Sequence, residues 1–221
     1  MIEAISFDCY GTLIDWGSGI VKALKPLLIS KGIDVEDEKI LRLYAELEAK
    51  AEGIEYMPYR EVLRTVVYEM GERFGFTPSR KEQECIAESI STWEPFSDTV
   101  EALNELKKNF KLVVISNVDD SLLSPTLKKL GVNFEWIITS EQAKSYKPSL
   151  NNFTLALKLI GLPSSNILHA AQSVYHDIIP AKKLGMNTAL ILRKGYSAAP
   201  TVSAEADIEV KDLRELVEIL R

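Results

Sequence analysis

The sequence predicts an α/β protein: a parallel sheet with helices on both faces, and a block of helices inserted after the first strand. Three observations predict it. Short, continuous apolar runs recur along the second half of the chain, each followed by a helical pattern, as expected for strands buried on both faces of a parallel sheet. A similar run, Ala4-Ile5-Ser6-Phe7, opens the chain. Between that run and the next lies a long stretch whose apolar residues repeat at helical spacing, with nothing strand-like in it.

The helical stretch extends from about Trp16 to Trp93. It reads as about four helices, carried by Ile20, Leu24, Leu27 and Leu28, by Ile40, Leu43 and Leu47, by Val62, Leu63, Val66, Val67 and Met70, and by Cys85, Ile86 and Ile90. Gly32, Gly53 and Gly75 punctuate them. Asp98, three residues before Glu101, reads as a capping box that opens the next helix. Strands are expected at Leu112–Ile115, Trp136–Ile138, Ile167–Ala170 and Thr188–Leu192, with Gly131 and Gly161 stopping two of the intervening helices. Residues 1–15 and 94–221 thus form a sheet-based core and residues 16–93 a helical cap. Ligands of open parallel sheets bind beyond the carboxyl ends of the strands. An insert emerging from the first strand would lie over that edge as a lid that excludes water.

Composition narrows the function. The 221 residues are nearly half hydrophobic, enough for a sizeable core, and the formal charge is −6. Lys107, Lys108 and Lys111 are the densest basic cluster, and they read as the solvated end of a helix. A dispersed basic set on an acidic protein argues against a nucleic-acid partner. No apolar run approaches the ~20 residues needed to span a bilayer, so no membrane association is expected. The N-terminal apolar stretch is broken by Glu3, Asp8 and Gly11, unlike a signal peptide. Two cysteines, Cys9 and Cys85, suit reduced thiols in a cytoplasmic protein. The oligomeric state is open, and a homodimer is compatible with the sequence.

Four polar clusters fall at strand ends. The first is Phe7-Asp8-Cys9-Tyr10-Gly11-Thr12, where an acid directly follows a buried strand, Gly11 permits a sharp turn and Thr12 can donate back to the carboxylate. The second is Ser116-Asn117, two donors for an anion that are also a common capping pair. The third is Lys147, fixed by Pro148 and followed by Ser149 as a helix cap, with Lys144 as a solvated competitor. The fourth runs from Gln172-Ser173 to Asp177, an acid that could also cap the following helix.

Together these clusters resemble the haloacid dehalogenase superfamily over essentially the whole chain. Asp8 and Thr12 match its first motif, Ser116 the second, Lys147-Pro148 the third, and Asp177 with Ala181 and Leu184-Gly185-Met186 the fourth. The resemblance implies a Rossmann-like core with an inserted helical cap and an aspartate nucleophile, Asp8, that forms a covalent intermediate. Within the family, Asp8-Cys9-Tyr10-Gly11-Thr12-Leu13 is similar to the L-2-haloacid dehalogenase branch, which uses no metal. There, the resemblance implies catalytic roles for Asp8, Thr12, Lys147 and Asp177, with Lys147 holding Asp8 ionised and Asp177 positioning water. Cys9 (through its backbone amide), Tyr10, Ser116, Asn117 and Gln172 would meet a small anionic substrate. The alternatives are a phosphatase of a small phosphorylated metabolite, which would use Mg²⁺, and a non-catalytic anion-binding descendant. Tyr10 and Gln172 stand where the family's phosphatases usually carry acids.

The chain also departs from the dehalogenase branch. Between Trp16 and Gly32 the basic residues are Lys22 and Lys25, where that branch has an arginine; Phe153 stands for a tyrosine, and Gln172 and Val174 for a serine and an asparagine. His169 reads as a satisfied core histidine, and His176 as a helix-start residue that could titrate near neutral pH. Tyr44, Tyr56, Tyr59 and Trp93 read as cap core. Lys147→Ala is expected to harm chemistry more than folding.

Overall fold

A computed structural model describes residues 1–53, 55–194 and 204–221. β1 (Ala4–Phe7) is followed by helices α1 (Trp16–Ser30), α2 (Asp37–Glu52), α3 (Tyr59–Phe74) and α4 (Cys85–Ser89). The chain continues through α5 (Thr99–Leu106), β2 (Lys111–Ser116), α6 (Asp120–Leu130), β3 (Trp136–Thr139), α7 (Ser140–Ala143) and α8 (Leu150–Ile160). It ends with β4 (Ile167–Ala171), α9 (Ile179–Lys183), β5 (Asn187–Ile191), β6 (Ile208–Val210) and α10 (Leu213–Leu220). Among the described residues six strands form one parallel sheet, in the order β3-β2-β1-β4-β5-β6. Each expected strand is present. β6 and α10 are additional: three strand residues are too few to show a pattern, although Ile208 pairs with Ala189 and Val210 with Ile191. None of the described helices is long and apolar enough to cross a membrane.

The strand order puts β1 between β2 and β4, so the chain turns back on itself beside the carboxyl end of β1. That crevice is where an open α/β sheet exposes strand ends to a ligand. The two faces of the sheet bury different side chains. Ala4, Val113, Ile115, Ile138 and Ile167 pack beneath α8 and α9 with Phe153, Ala156 and Ala181. Ile5, Phe7, Val114, Leu168 and Ala189 face α5, α6 and α10, and this apolar cluster runs on into the inserted helices through Leu13, Ile20, Val62 and Trp93.

Several caps behave as the sequence suggests. Gly131 and Gly161 close α6 and α8 in the left-handed region, and Ser149 caps α8 by accepting from Asn151 N–H. Asp98 does not form the expected capping box on α5. Its carboxylate accepts from the Arg193 guanidinium at 2.9 and 2.7 Å and from Leu213 N–H at 2.8 Å. The physical reason is the charge of the partner, since a guanidinium binds a carboxylate more strongly than a neutral backbone N–H does. Arg193 also donates from Nε to Thr12 O at 2.8 Å, tying this network to the loop after β1.

The inserted helices are held over the strand ends by long-range polar contacts. Asp119, just after β2, accepts from Tyr59 N–H (2.8 Å) and Arg60 N–H (2.9 Å), so a carboxylate from the sheet side caps the N-terminus of α3. Tyr146 donates its hydroxyl to Met57 O at 2.7 Å. Lys129 donates to Trp93 O at 2.9 Å. On α1, a Cβ at Gly19 would sit 2.5 Å from the Trp93 ring. Gly19→Ala should therefore lower stability by about 1–3 kcal/mol through overpacking. Urea denaturation checks this, and an unchanged midpoint would mean that Trp93 has room to move.

Candidate active site

The centre lies at the carboxyl ends of β1, β2 and β4. Asp8 leaves β1, and its two carboxylate oxygens have different partners. Oδ2 accepts from the Thr12 hydroxyl at 2.7 Å, and Oδ1 accepts from Lys147 Nζ at 2.8 Å. Thr12 Oγ1 in turn accepts from Gln172 N–H at 3.0 Å, which leaves its own proton aimed at Asp8. Gly11 makes this loop feasible: its φ is +104°, and a Cβ there would meet the Trp16 ring at 3.1 Å.

Lys147 is 3% exposed. Its ammonium donates to Asp8 Oδ1, to Asp177 Oδ1 at 2.7 Å and to Ile115 O at 3.1 Å. An ammonium has three donors, and all three are used. Burial alone would push this lysine down, but Asp177 and Asp8 outweigh it and hold it above the ordinary value. Burial likewise opposes the charge on Asp177, yet Lys147 and His169 hold that carboxyl down at about 2. Asn117 grips the lysine backbone: its oxygen accepts from Lys147 N–H at 2.7 Å and its amide donates to Lys147 O at 3.2 Å. Asn117 is therefore a clamp on Lys147, a different use of its side chain from the substrate contact that the sequence suggests.

Asp177 does not cap the following helix with its side chain; it sits in a π-helical turn, Val174–Ile178, with its carboxylate turned inward. His169 donates from Nε2 to Asp177 Oδ1 at 3.0 Å, because an ionised carboxylate only accepts. Nδ1 then accepts from Ser6 at 2.8 Å. His169 is a satisfied buried histidine, as expected, and it also holds the site's second carboxylate. Phe153 packs edge-on against it, with centroids 5.1 Å apart.

These groups open into a cleft of about 130 Å³. Asp8, Ser116, Asn117, Lys147, Gln172, His176 and Asp177 line its floor on the sheet side. Trp16, Tyr44, Glu48, Glu52, Tyr59 and Trp93 close it from the helical side. The Ser116 hydroxyl is buried and has no hydrogen-bonding partner among the described residues. Tyr10 contributes its ring, edge-on to Trp93, while its hydroxyl pairs with Thr126 at 2.9 Å. Burial first, then Cys9, raises that phenol well above its ordinary value. Cys9 is fully buried outside the cleft lining, and burial and Asp8 raise its thiol well above normal. Among the described residues, no three His, Cys, Asp or Glu side chains cluster as metal ligands.

The family model of haloacid dehalogenase-like hydrolases matches residues 2–185. The chain belongs to this family of hydrolases. A glyceraldehyde 3-phosphate phosphatase of Methanocaldococcus jannaschii is 27% identical over 235 aligned positions, covering 100% of this chain and 98% of its own. An (S)-2-haloacid dehalogenase of Pseudomonas sp. (strain YL) is 24% identical over 226 positions, covering 99% and 94%. The solved L-2-haloacid dehalogenase from Xanthobacter autotrophicus with chloropropionic acid covalently bound superposes with a TM-score of 0.84, covering 100% of this chain and 99% of that one. At 20% identity that last likeness is one of fold.

In this haloacid dehalogenase-like hydrolase the cleft also holds groups that sequence reasoning missed or placed elsewhere. Tyr44, Tyr59 and Trp93 are buried, as cap core should be, and they also face the cleft. Tyr56 stacks on Tyr146 away from it, with centroids 5.6 Å apart. Lys25 pairs with Asp37 at the surface, so it does not stand in for the absent arginine. Glu48 and Glu52 do not stand out in the local sequence pattern. A signal for them existed: Tyr44, Glu48 and Glu52 are spaced by four, which puts two acids on one stripe of α2 beside its apolar face.

Proposed function

We propose that Asp8 is the nucleophile of a metal-independent dehalogenase acting on a small 2-haloacid, with residues 16–93 as a cap domain over a core of residues 1–15 and 94–221. One observation carries this reading: Lys147 Nζ is lodged between Asp8 Oδ1 and Asp177 Oδ1. Mg²⁺ needs near-octahedral oxygen ligands. Here the facing oxygens of the two acids already serve an ammonium, and Tyr10 and Gln172 add no carboxylate. The residues therefore do not fit the ion.

The chemistry follows from the placement. An Asp8 oxygen forms a bond to C2 as the carbon–halogen bond breaks, and the halide leaves with the electron pair. Such a leaving group needs no proton, so the engaged Tyr10 hydroxyl is no loss. Water then adds to the ester carbonyl of Asp8, giving a 2-hydroxyacid, restoring the carboxylate and releasing one proton. Thr12 and Lys147 hold Asp8 in place, and Asp177 anchors Lys147. His176 lines the cleft, is kept below its ordinary value by burial, and is the candidate acceptor for the water proton. The unpartnered Ser116 hydroxyl suits the substrate carboxylate. The cleft volume suits about six heavy atoms, since a benzene-sized ligand fits a cavity of ~150 Å³.

Full-length likeness to a glyceraldehyde 3-phosphate phosphatase favours a second reading, a phosphatase of a small phosphorylated metabolite. Parallel assays with 2-haloacids and phosphate esters, with Mg²⁺ and with EDTA, separate the two. Halide release that survives EDTA, with little phosphate release, is the expected result. Mg²⁺-dependent phosphate release lost in Asp177→Asn would replace the first reading with the second.

A further inference from the structure

We propose that Glu48 and Glu52 of α2 form a recognition site for a hydrogen-bond-donating group, an ammonium or a hydroxyl, on the substrate carbon next to the reacting one. This deepens the dehalogenase reading and rests on it for the identity of the reacting end.

Both glutamates line the cleft that contains Asp8. The Glu48 carboxylate accepts from the Tyr44 hydroxyl at 2.8 Å and from the Tyr59 hydroxyl, and those two hydroxyls are 3.0 Å apart. Among the described residues, no hydrogen bond is made to the Glu52 carboxylate, and neither Glu48 nor Glu52 forms an ion pair with a lysine or arginine. The wall is thus an acceptor surface, with two tyrosines fixing one acid and the second left open toward the cleft.

The opposite wall gives an independent sign of a ligand. Ser116 is 1% exposed, its hydroxyl has no partner, and it borders the same cleft. A molecule reaching from Ser116 and Asp8 across the cleft therefore ends against α2. The electrostatic balance then selects its far end. The acids lining the cleft are Asp8, Glu48, Glu52 and Asp177, beside the single ammonium of Lys147. That ammonium has no donor left, because Asp8, Asp177 and Ile115 take all three. A 2-haloacid with no donor at its far end can place its carboxylate at Ser116 but leaves the two glutamates unmatched. A substrate that adds a donor at its far end meets two carboxylates in a partly desolvated wall, where charge-assisted hydrogen bonds are strongest. Burial pushes both acids above their ordinary values, and the proximity of Glu48 pushes Glu52 further. A bound ammonium would reverse that. A volume of about 130 Å³ calls for a compact substrate, with the donor close to the reacting centre.

The test uses three 2-chloro acids that differ at C3: 2-chloropropionate, 2-chloro-3-hydroxypropionate and 2-chloro-3-aminopropionate. Binding is measured by calorimetry on Asp8→Asn protein, and chloride release on the protein with Asp8 intact. The hydroxyl and amino compounds should bind about tenfold or more tightly than the methyl compound. Glu52→Gln, alone and combined with Glu48→Gln, should erase the advantage of the amino compound. The single variant keeps the test readable should the double variant fail to fold. Equal binding of all three, no binding of any, or a preference untouched by Glu52→Gln overturns the inference. Should no compound release chloride while the amino compound still binds best, the dehalogenase reading falls and the recognition site stands.

Discussion

Asp8→Asn should abolish turnover, lowering the rate by about 10⁴-fold or more, as removal of a covalent nucleophile does in other hydrolases. An amide keeps the shape of the side chain but cannot form the ester. The fold should survive, because Lys147 retains Asp177 and Ile115 O as partners when the charge on Asp8 is removed. Isotope labelling makes the expectation specific. In a single turnover in ¹⁸O-water, the product should carry the unlabelled Asp8 oxygen, and the label should appear in a peptide containing Asp8. Later turnovers should then deliver label to product. Label found directly in the first product, with none in that peptide, would mean that water attacks the substrate without a covalent step. Full activity in Asp8→Asn would remove the nucleophile altogether.

The sheet was legible because strands buried on both faces are continuous apolar runs, and β1 to β5 have them. β6 was not, since a three-residue edge strand leaves no periodicity. The loop chemistry was legible where a polar residue follows a strand directly, as with Asp8 and Ser116, or where Pro148 marks Lys147 out from Lys144. The structure separates those two lysines plainly: Lys147 is buried in the centre, and Lys144 lies over the Tyr56 ring at 5.3 Å. What local pattern could not show was choice among distant partners. Asp98 looks like a cap until Arg193, distant in sequence, takes its carboxylate. Asp119 caps a helix that begins 60 residues earlier in the chain. His169 reads as core from its strand position, while its second nitrogen reaches Asp177. Glu48 and Glu52 sit on a helix whose apolar face dominates the pattern and masks their shared stripe.

Lys147→Ala should lower activity by on the order of 10²- to 10³-fold, because the ammonium that holds Asp8 Oδ1 in place is gone. The sequence alone suggests a modest effect on folding; the geometry predicts a larger one. Lys147 is almost fully buried between two carboxylates, and deleting one partner of such a pair typically costs about 3–5 kcal/mol. The pH dependence identifies the cause. In the unaltered protein Asp177 has its carboxyl depressed to about 2, so its stabilising contribution is present above the ordinary carboxylate value near ~3.9 and is lost as pH falls toward 2. Lys147 is raised, so its contribution is present below the ordinary lysine value and is lost only as pH rises through the raised one. Between those limits the Asp177–Lys147 pair itself adds no slope, whereas His176, kept below its ordinary value by burial, makes stability decline as pH falls below about 6.5. In Lys147→Ala the two buried carboxylates face each other without a cation, and their values should rise above the unfolded ones. Their native forms then bind protons that the unfolded chain does not, and the variant should regain stability as pH falls from 7 toward 5. Urea denaturation at several pH values, beside kcat at neutral pH, reads both effects. A variant with unaltered stability and the same pH profile as the parent would mean that the ammonium does not bridge Asp8 and Asp177. A destabilised variant with full activity per folded molecule would make Lys147 a structural residue alone.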